Sequence, residues 1–122
     1  MRPVVFLAAI ATLAGVPALA QDPVKVDPKH YKLLYEDAEI RVLRVAYGAG
    51  EKSVTHDHPA LAAVFTTDAH FKFSLADGTT QERQGKKGDV ISMPAEKHVP
   101  ENVGEATAQV ILVEFKGAPP KK

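Results

Sequence analysis

From Gln21 to Lys122 no window of twelve residues carries a helical apolar period, and turn residues interrupt the chain about every eight to twelve positions. A chain punctuated this often must build its core from short strands. Lys32 to Tyr35 reads as a brief strand closed by Glu36-Asp37. Ile40, Val42, Val45 and Tyr47 lie in a β-type stretch that ends at Gly48-Ala49-Gly50. Ser53 to His58 alternates, Leu61 to Phe65 is a continuous apolar run, and Ala69 to Leu75 puts Phe71, Phe73 and Leu75 on one face. Asp77-Gly78 is a hairpin signal. Gly85 and Gly88-Asp89 turn the chain into Val90 to Met93, Pro94 and Pro100 bracket His98, and Thr107 to Phe115 is the longest strand. This spacing predicts an all-β fold, an antiparallel barrel or sandwich.

The first twenty residues stand apart. MRPVVFLAAIATLAGVPALA has Arg2 and then no charge before Asp22, an apolar core from Val4 to Leu13, breakers at Gly15 and Pro17, and the small-residue end Ala18-Leu19-Ala20. That layout predicts a secretory signal cleaved near Ala20, and hence a periplasmic or secreted protein with no membrane association after cleavage. The competing reading is a membrane anchor, for which the stretch is barely long enough and interrupted by Gly and Pro. The organisation that follows is a signal peptide over 1–20, an N-terminal arm and edge strand over 21–36, a barrel over 37–116 and a flexible tail over 117–122. Within the arm, 21–29 reads as extended, with Pro23 and Pro28. Forty of the 102 residues after Ala20 are apolar, a lean core that suits a small β domain.

Composition removes several classes of function. The chain has no cysteine, so disulfides, zinc fingers, iron–sulfur clusters and thiol nucleophiles are excluded. Zero net charge and eight Phe and Tyr residues without Trp argue against nucleic acid as a partner.

Histidine is where chemistry concentrates. His56 and His58 are two apart in a strand-like segment, so both imidazoles face one side while Asp57 faces the other. His98 follows some forty residues later, and a barrel can bring it to the same interior. Three neutral imidazoles on one side of an ion leave the other side open. The competing reading of His-Asp-His-Pro is a solvated turn. His30 reads as a surface residue of the arm, and His70 as a solvated residue on the polar face of its strand.

Two segments carry a resemblance. Gly50-Glu-Lys-Ser-Val-Thr-His56-Asp-His58 resembles the first motif of the cupin superfamily, a Gly, five residues and His-x-His. Gly88-Asp-Val-Ile-Ser-Met-Pro94 followed by His98 and Asn102 resembles the second. The chain is also similar to a group of short exported bacterial proteins with a single cupin domain. The resemblance implies a small β-barrel of jelly-roll type with a metal in its mouth. Two departures qualify it. The family usually places a Glu four or five residues after the second His, where this chain has Ala62 and Ala63. The turn after Pro94 is one residue short and carries Glu96 where a Gly is expected. The first departure leaves His56, His58 and His98 as the metal ligands, with Glu96 or Glu101 as candidates to replace the missing carboxylate. Some oxygenases of the superfamily work with three histidines and no Glu, so the resemblance leaves iron chemistry open.

The expected cofactor is a divalent transition metal, Fe, Zn, Cu, Ni or Mn. The expected function is a metal-dependent oxygenase or related enzyme acting on a small molecule. The alternatives are a non-catalytic barrel that binds a small molecule or stores metal, and an unmetallated interaction module. No general base is evident in sequence, and His70 and Tyr47 are candidates by type alone. Interior walls are expected from Ile40, Val42, Tyr47, Val54, Phe65, Phe71, Phe73, Met93, Val110 and Leu112, with Arg41 and Arg44 turned at least partly outward. A homodimer is expected through strand addition by Val24 to Tyr35.

Overall fold

Alternating burial along the strands sorts the chain into two sheets that share one interior. The computed structural model describes residues 21–117; the expected signal peptide over 1–20 and the tail beyond Gly117 lie outside the described residues. A single helical turn, α1 (Pro23–Val26), leads into β1 (Tyr31–Glu36), β2 (Ile40–Tyr47), β3 (His56–His58), β4 (Leu61–Phe65), β5 (Ala69–Leu75), β6 (Thr80–Gly85), β7 (Val90–Met93), β8 (Glu96–Asn102) and β9 (Ala108–Phe115). One sheet has the order β1-β2-β9-β4-β7 and the other β3-β8-β5-β6. Every strand pairing is antiparallel. This is the jelly-roll form of an all-β barrel.

The two inner faces make the core. Leu43, Val45 and Tyr47 of β2, Val110 and Leu112 of β9, and Leu61, Ala63 and Phe65 of β4 meet Phe71 and Phe73 from the opposite sheet. Ile40 and Val42 fall on the outer side of β2, and Val54 is 52% exposed, so these three do not line the interior. The parity is set by Arg41, which takes an inward position on β2 opposite Glu114 and is not turned outward. Arg44 is exposed.

The arm also departs from expectation. Asp22 caps α1 by accepting from the Val24 amide at 3.0 Å, with Pro23 at the first helical position, where its missing N–H costs nothing. Residues 21–29 therefore fold back onto the barrel. His30 is 7% exposed, its ring stacked on Tyr47 at 4.2 Å and its Nδ1 2.7 Å from Asp27, so it is an interior residue. β1 pairs with β2 and, among the described residues, has a free outer edge, with a register shift between Leu33 and Tyr35.

Two strands have no clear signature in sequence. β6 is polar throughout because it is a sheet edge facing solvent. β8 contains Pro100, yet it lies between β3 and β5. Ser53 donates to the Pro100 carbonyl at 2.9 Å, and a strand residue turns its N–H and C=O to the same side. The missing donor of Pro100 thus faces the loop before β3, and the pairing to β5 loses nothing.

The turns ahead of the two motif segments are alike. Glu51 donates to the Gly48 carbonyl and Asp89 to the Lys86 carbonyl, closing four-residue turns with Gly50 and Gly88 in third position. Their φ angles of 77° and 92° are those only glycine adopts without strain. At the far end of β8, Asn102 is fully buried. Its amide nitrogen lies 3.1, 3.1 and 2.9 Å from the carbonyls of Tyr47, Gly48 and Ala106, and its oxygen accepts from Gly104 at 2.9 Å. Asn102 therefore fastens two loops and offers nothing to the histidines. Asn102→Ala is expected to cost about 2 kcal/mol or more, because it strands buried carbonyls. Urea unfolding measures this, and a loss below about 0.5 kcal/mol would contradict the assignment.

Candidate metal centre

His56 and His58 lie on the inward face of β3, with Asp57 between them turned away. His98 stands directly across from His56 in the pairing of β3 with β8. All three are buried, at 0%, 3% and 2% exposure, and each offers a ring nitrogen within 4.8 Å of the others. The solvated-turn alternative is thereby removed. The rings stand at 4.8 to 5.2 Å between centroids, none of them parallel.

Each imidazole is held from behind through Nδ1. That of His58 is 2.6 Å from Glu114, that of His98 is 2.7 Å from Glu96, and that of His56 is 2.9 Å from the Val54 carbonyl. A carboxylate or carbonyl only accepts, so each Nδ1 carries a hydrogen, and in the neutral ring Nε2 is then the atom with the lone pair. This is the tautomer a metal ligand needs, with the outer partner that fixes its orientation. The carboxylates are themselves anchored. Arg41 donates from Nε to Glu114 at 2.8 Å and from both terminal nitrogens to Asp22 at 2.7 and 2.8 Å. Arg83 donates twice to Glu96 at 3.0 Å and lies 4.4 Å over the Phe73 ring. Burial raises the Glu96 pKa, but the Arg83 and His98 hydrogen bonds outweigh it and hold that carboxyl below its usual range.

Neither sequence candidate for a fourth ligand points into the centre. Glu96 stands behind His98, and both its oxygens are taken by Arg83. Glu101 lies on the outer face of β8, opposite Lys72. The residue missed in sequence is Glu114, 1% exposed. Its signal was its place in the inward series Ala108, Val110, Leu112, Glu114, a charge where an apolar residue belongs. Of the two candidate bases named by type, His70 is partly exposed beside Gln84 and Glu82, away from the centre. Tyr47 is 1% exposed and donates to the Tyr31 hydroxyl at 2.6 Å, which in turn lies 3.1 Å from His56 Nε2. Burial pushes both phenols well above their ordinary pKa.

The donor set fits a transition metal. The Nε2 atom of His98 is buried without any hydrogen-bond partner, which is costly for a polar atom unless something takes its lone pair. Burial, followed by the other two histidines, holds His56 down to about 3. Burial likewise lowers His98 to about 4, against the raising effect of Glu96. His56 and His98 are therefore neutral, the ligand form, at ordinary pH. Beside the centre lies a cavity of about 50 Å³, with walls that include Ala63, Phe73, Met93 and Leu112 and with Tyr31, Tyr47, Arg83, His58 and His98 as polar members. That is room for a few water-sized molecules. No Asp or Glu lines it.

No family model matches the chain, and no curated protein matches it. Solved structures do. A cupin domain from Bordetella pertussis Tohama I is similar at a TM-score of 0.65 and 16% identity, covering 71% of this chain and 92% of that one. A protein with a double-stranded β-helix domain from Klebsiella pneumoniae gives 0.57 at 18% identity, covering 71% and 76%. KdgF from Halomonas sp. gives 0.52 at 16% identity, covering 72% and 78%. The chain has the cupin fold.

The buried neutral histidines make stability depend on pH. The unfolded chain binds protons near pH 6.5, the folded chain only near 3 to 4. The stability tied to these groups is complete above about pH 6.5 and is lost as pH falls toward 4. The expected loss is on the order of 2 kcal/mol for each histidine at pH 5. Urea unfolding of metal-free protein at pH 7.5 and pH 5 measures it; equal midpoints would contradict the burial of neutral rings.

Proposed function

We propose that this protein holds one divalent transition-metal ion through His56, His58 and His98 and acts on a small molecule as a metal-dependent oxygenase or related enzyme. The observation that carries the reading is the partnerless Nε2 of His98, buried among two other imidazoles whose Nδ1 atoms are all tied back. A bound ion supplies Lewis-acid chemistry or, if it is iron or copper, redox chemistry. The chain's residues do the rest. Glu96, Glu114 and the Val54 carbonyl orient the ligands, Arg41 and Arg83 hold the two carboxylates in place, and the apolar walls limit water. The cavity volume limits the guest to a few heavy atoms or to the end of a longer molecule. One observation favours a second reading, a non-catalytic barrel that binds a metal or small molecule: no carboxylate lines the cavity to serve as a base.

Elemental analysis of the purified protein tests the centre. About one equivalent of metal is expected, lost in His56→Ala and in His98→Ala. Glu114→Gln, which keeps the shape but not the charge behind His58, is expected to weaken binding about 10- to 100-fold. No metal after reloading with Fe, Zn, Cu, Ni and Mn would end the proposal. Metal without turnover on small oxygen-bearing substrates would leave the non-catalytic reading.

Export and self-association complete the proposal. Residues 1–20 have the pattern of a cleaved signal, which supports a periplasmic or secreted protein. The free edge of β1 exposes Leu33, Leu34 and Tyr35 at 40%, 46% and 54%, which supports a homodimer. Native mass spectrometry of the exported protein is expected to show a dimer of chains beginning at Gln21. Chains beginning at Met1 would contradict cleavage, and a monomer at micromolar concentration would contradict the dimer.

A further inference from the structure

Tyr31 is the polar group at the centre that the three-histidine reading leaves without a task. It comes from β1, outside both motif segments, yet its side chain is 4% exposed and forms part of the cavity wall. Its hydrogen can be placed by elimination. His56 Nδ1 faces the Val54 carbonyl and must donate, so His56 Nε2 must accept. Tyr47 gives its own hydrogen to the Tyr31 oxygen at 2.6 Å. Tyr31 therefore donates to His56 Nε2, at 3.1 Å.

Tyr31 and a metal thus compete for one lone pair. Once His56 Nε2 is taken, the Tyr31 hydroxyl keeps within reach only the Tyr47 oxygen, which already gives its own hydrogen to Tyr31, in a mostly apolar cavity. The nearby walls Ala63, Phe73, Met93 and Leu112 offer no acceptor in their side chains. A buried donor without a partner is penalised, and the penalty disappears when a guest brings an acceptor.

We propose that the Tyr31 hydroxyl is the recognition group of the cavity, donating a hydrogen bond to an acceptor atom of the guest while Tyr47 holds it in position. The substrate class follows: a small anion, or a molecule presenting a carboxylate, carbonyl or hydroxyl oxygen at its inner end, in preference to a hydrocarbon. This inference rests on the metal-centre reading.

The test uses the full chain loaded with Cu(II) or Co(II) and azide as the probe anion, with metal and azide affinities measured separately by absorption spectroscopy. Tyr31→Phe is expected to bind the metal at least as tightly as wild type, because a competitor for His56 Nε2 is gone. It is expected to bind azide about 10-fold more weakly, because the donor is gone. A merely structural Tyr31 would lower both affinities together, and that result would overturn the proposal. So would an unchanged azide affinity, which would mean that the hydroxyl turns back onto Tyr47. Should Tyr31→Phe fail to fold, Tyr47→Phe decides: a loss of about 3-fold in azide affinity supports the proposal and no loss overturns it. Wild-type protein that binds neither metal would sink the metal-centre reading itself, and this inference with it.

Discussion

A buried carboxylate that must be paired organises the site end of this barrel. Glu114 is 1% exposed, and a charge so placed persists only when it is neutralised and hydrogen-bonded. Arg41 meets it from the neighbouring strand and His58 from the opposite sheet. Because Arg41 also grips Asp22, the chain ahead of β1 is fastened to the same point. Asp22 in turn caps α1, so the first helical turn, two strands and one imidazole answer to a single charge. The same logic recurs on a smaller scale at Arg83, Glu96 and His98. Two of the three histidines thus have a carboxylate and an arginine behind them, at the ends of different strands.

This arrangement moves the carboxylate that the sequence lacks. Ala62 and Ala63 remove a ligand from β4, and Ala63 leaves a small inward side chain beside the cavity. The acids instead stand behind the imidazoles, where they set tautomer and basicity and do not add charge on the open side. The open side is then defined by aromatic and aliphatic surface with the phenols of Tyr31 and Tyr47 and the guanidinium of Arg83 among it.

Strand periodicity made much of the fold legible. Leu61–Phe65 and Ala69–Leu75 coincide with β4 and β5, and the i, i+2 spacing of His56 and His58 placed both rings on one face. Legibility failed where a residue type concealed its environment. In β2 the run Arg-Val-Leu-Arg-Val puts one arginine and apolar residues on each face, so the inward choice of Arg41 depended on its partner 73 residues away. β8 had no strand signature because Pro100 and its charged neighbours hide a strand paired on both sides. His30 looked solvated because its partners, Asp27 and Tyr47, are polar or aromatic. Glu114, Arg41 and Tyr31 come from three separate strands, and only the closed sheet order brings them to the histidines.

The strand that carries two of the ligands is three residues long and lies at the edge of its sheet. Its backbone is held by β8 on one side and by the Gln21 carbonyl, which accepts from Asp57, and the rest of its hold comes from the groups behind its two imidazoles. An ion shared by His56, His58 and His98 would tie this short edge strand to the central strand beside it. The affinity of such a centre and the rigidity of that edge would be the same free energy, seen from two directions.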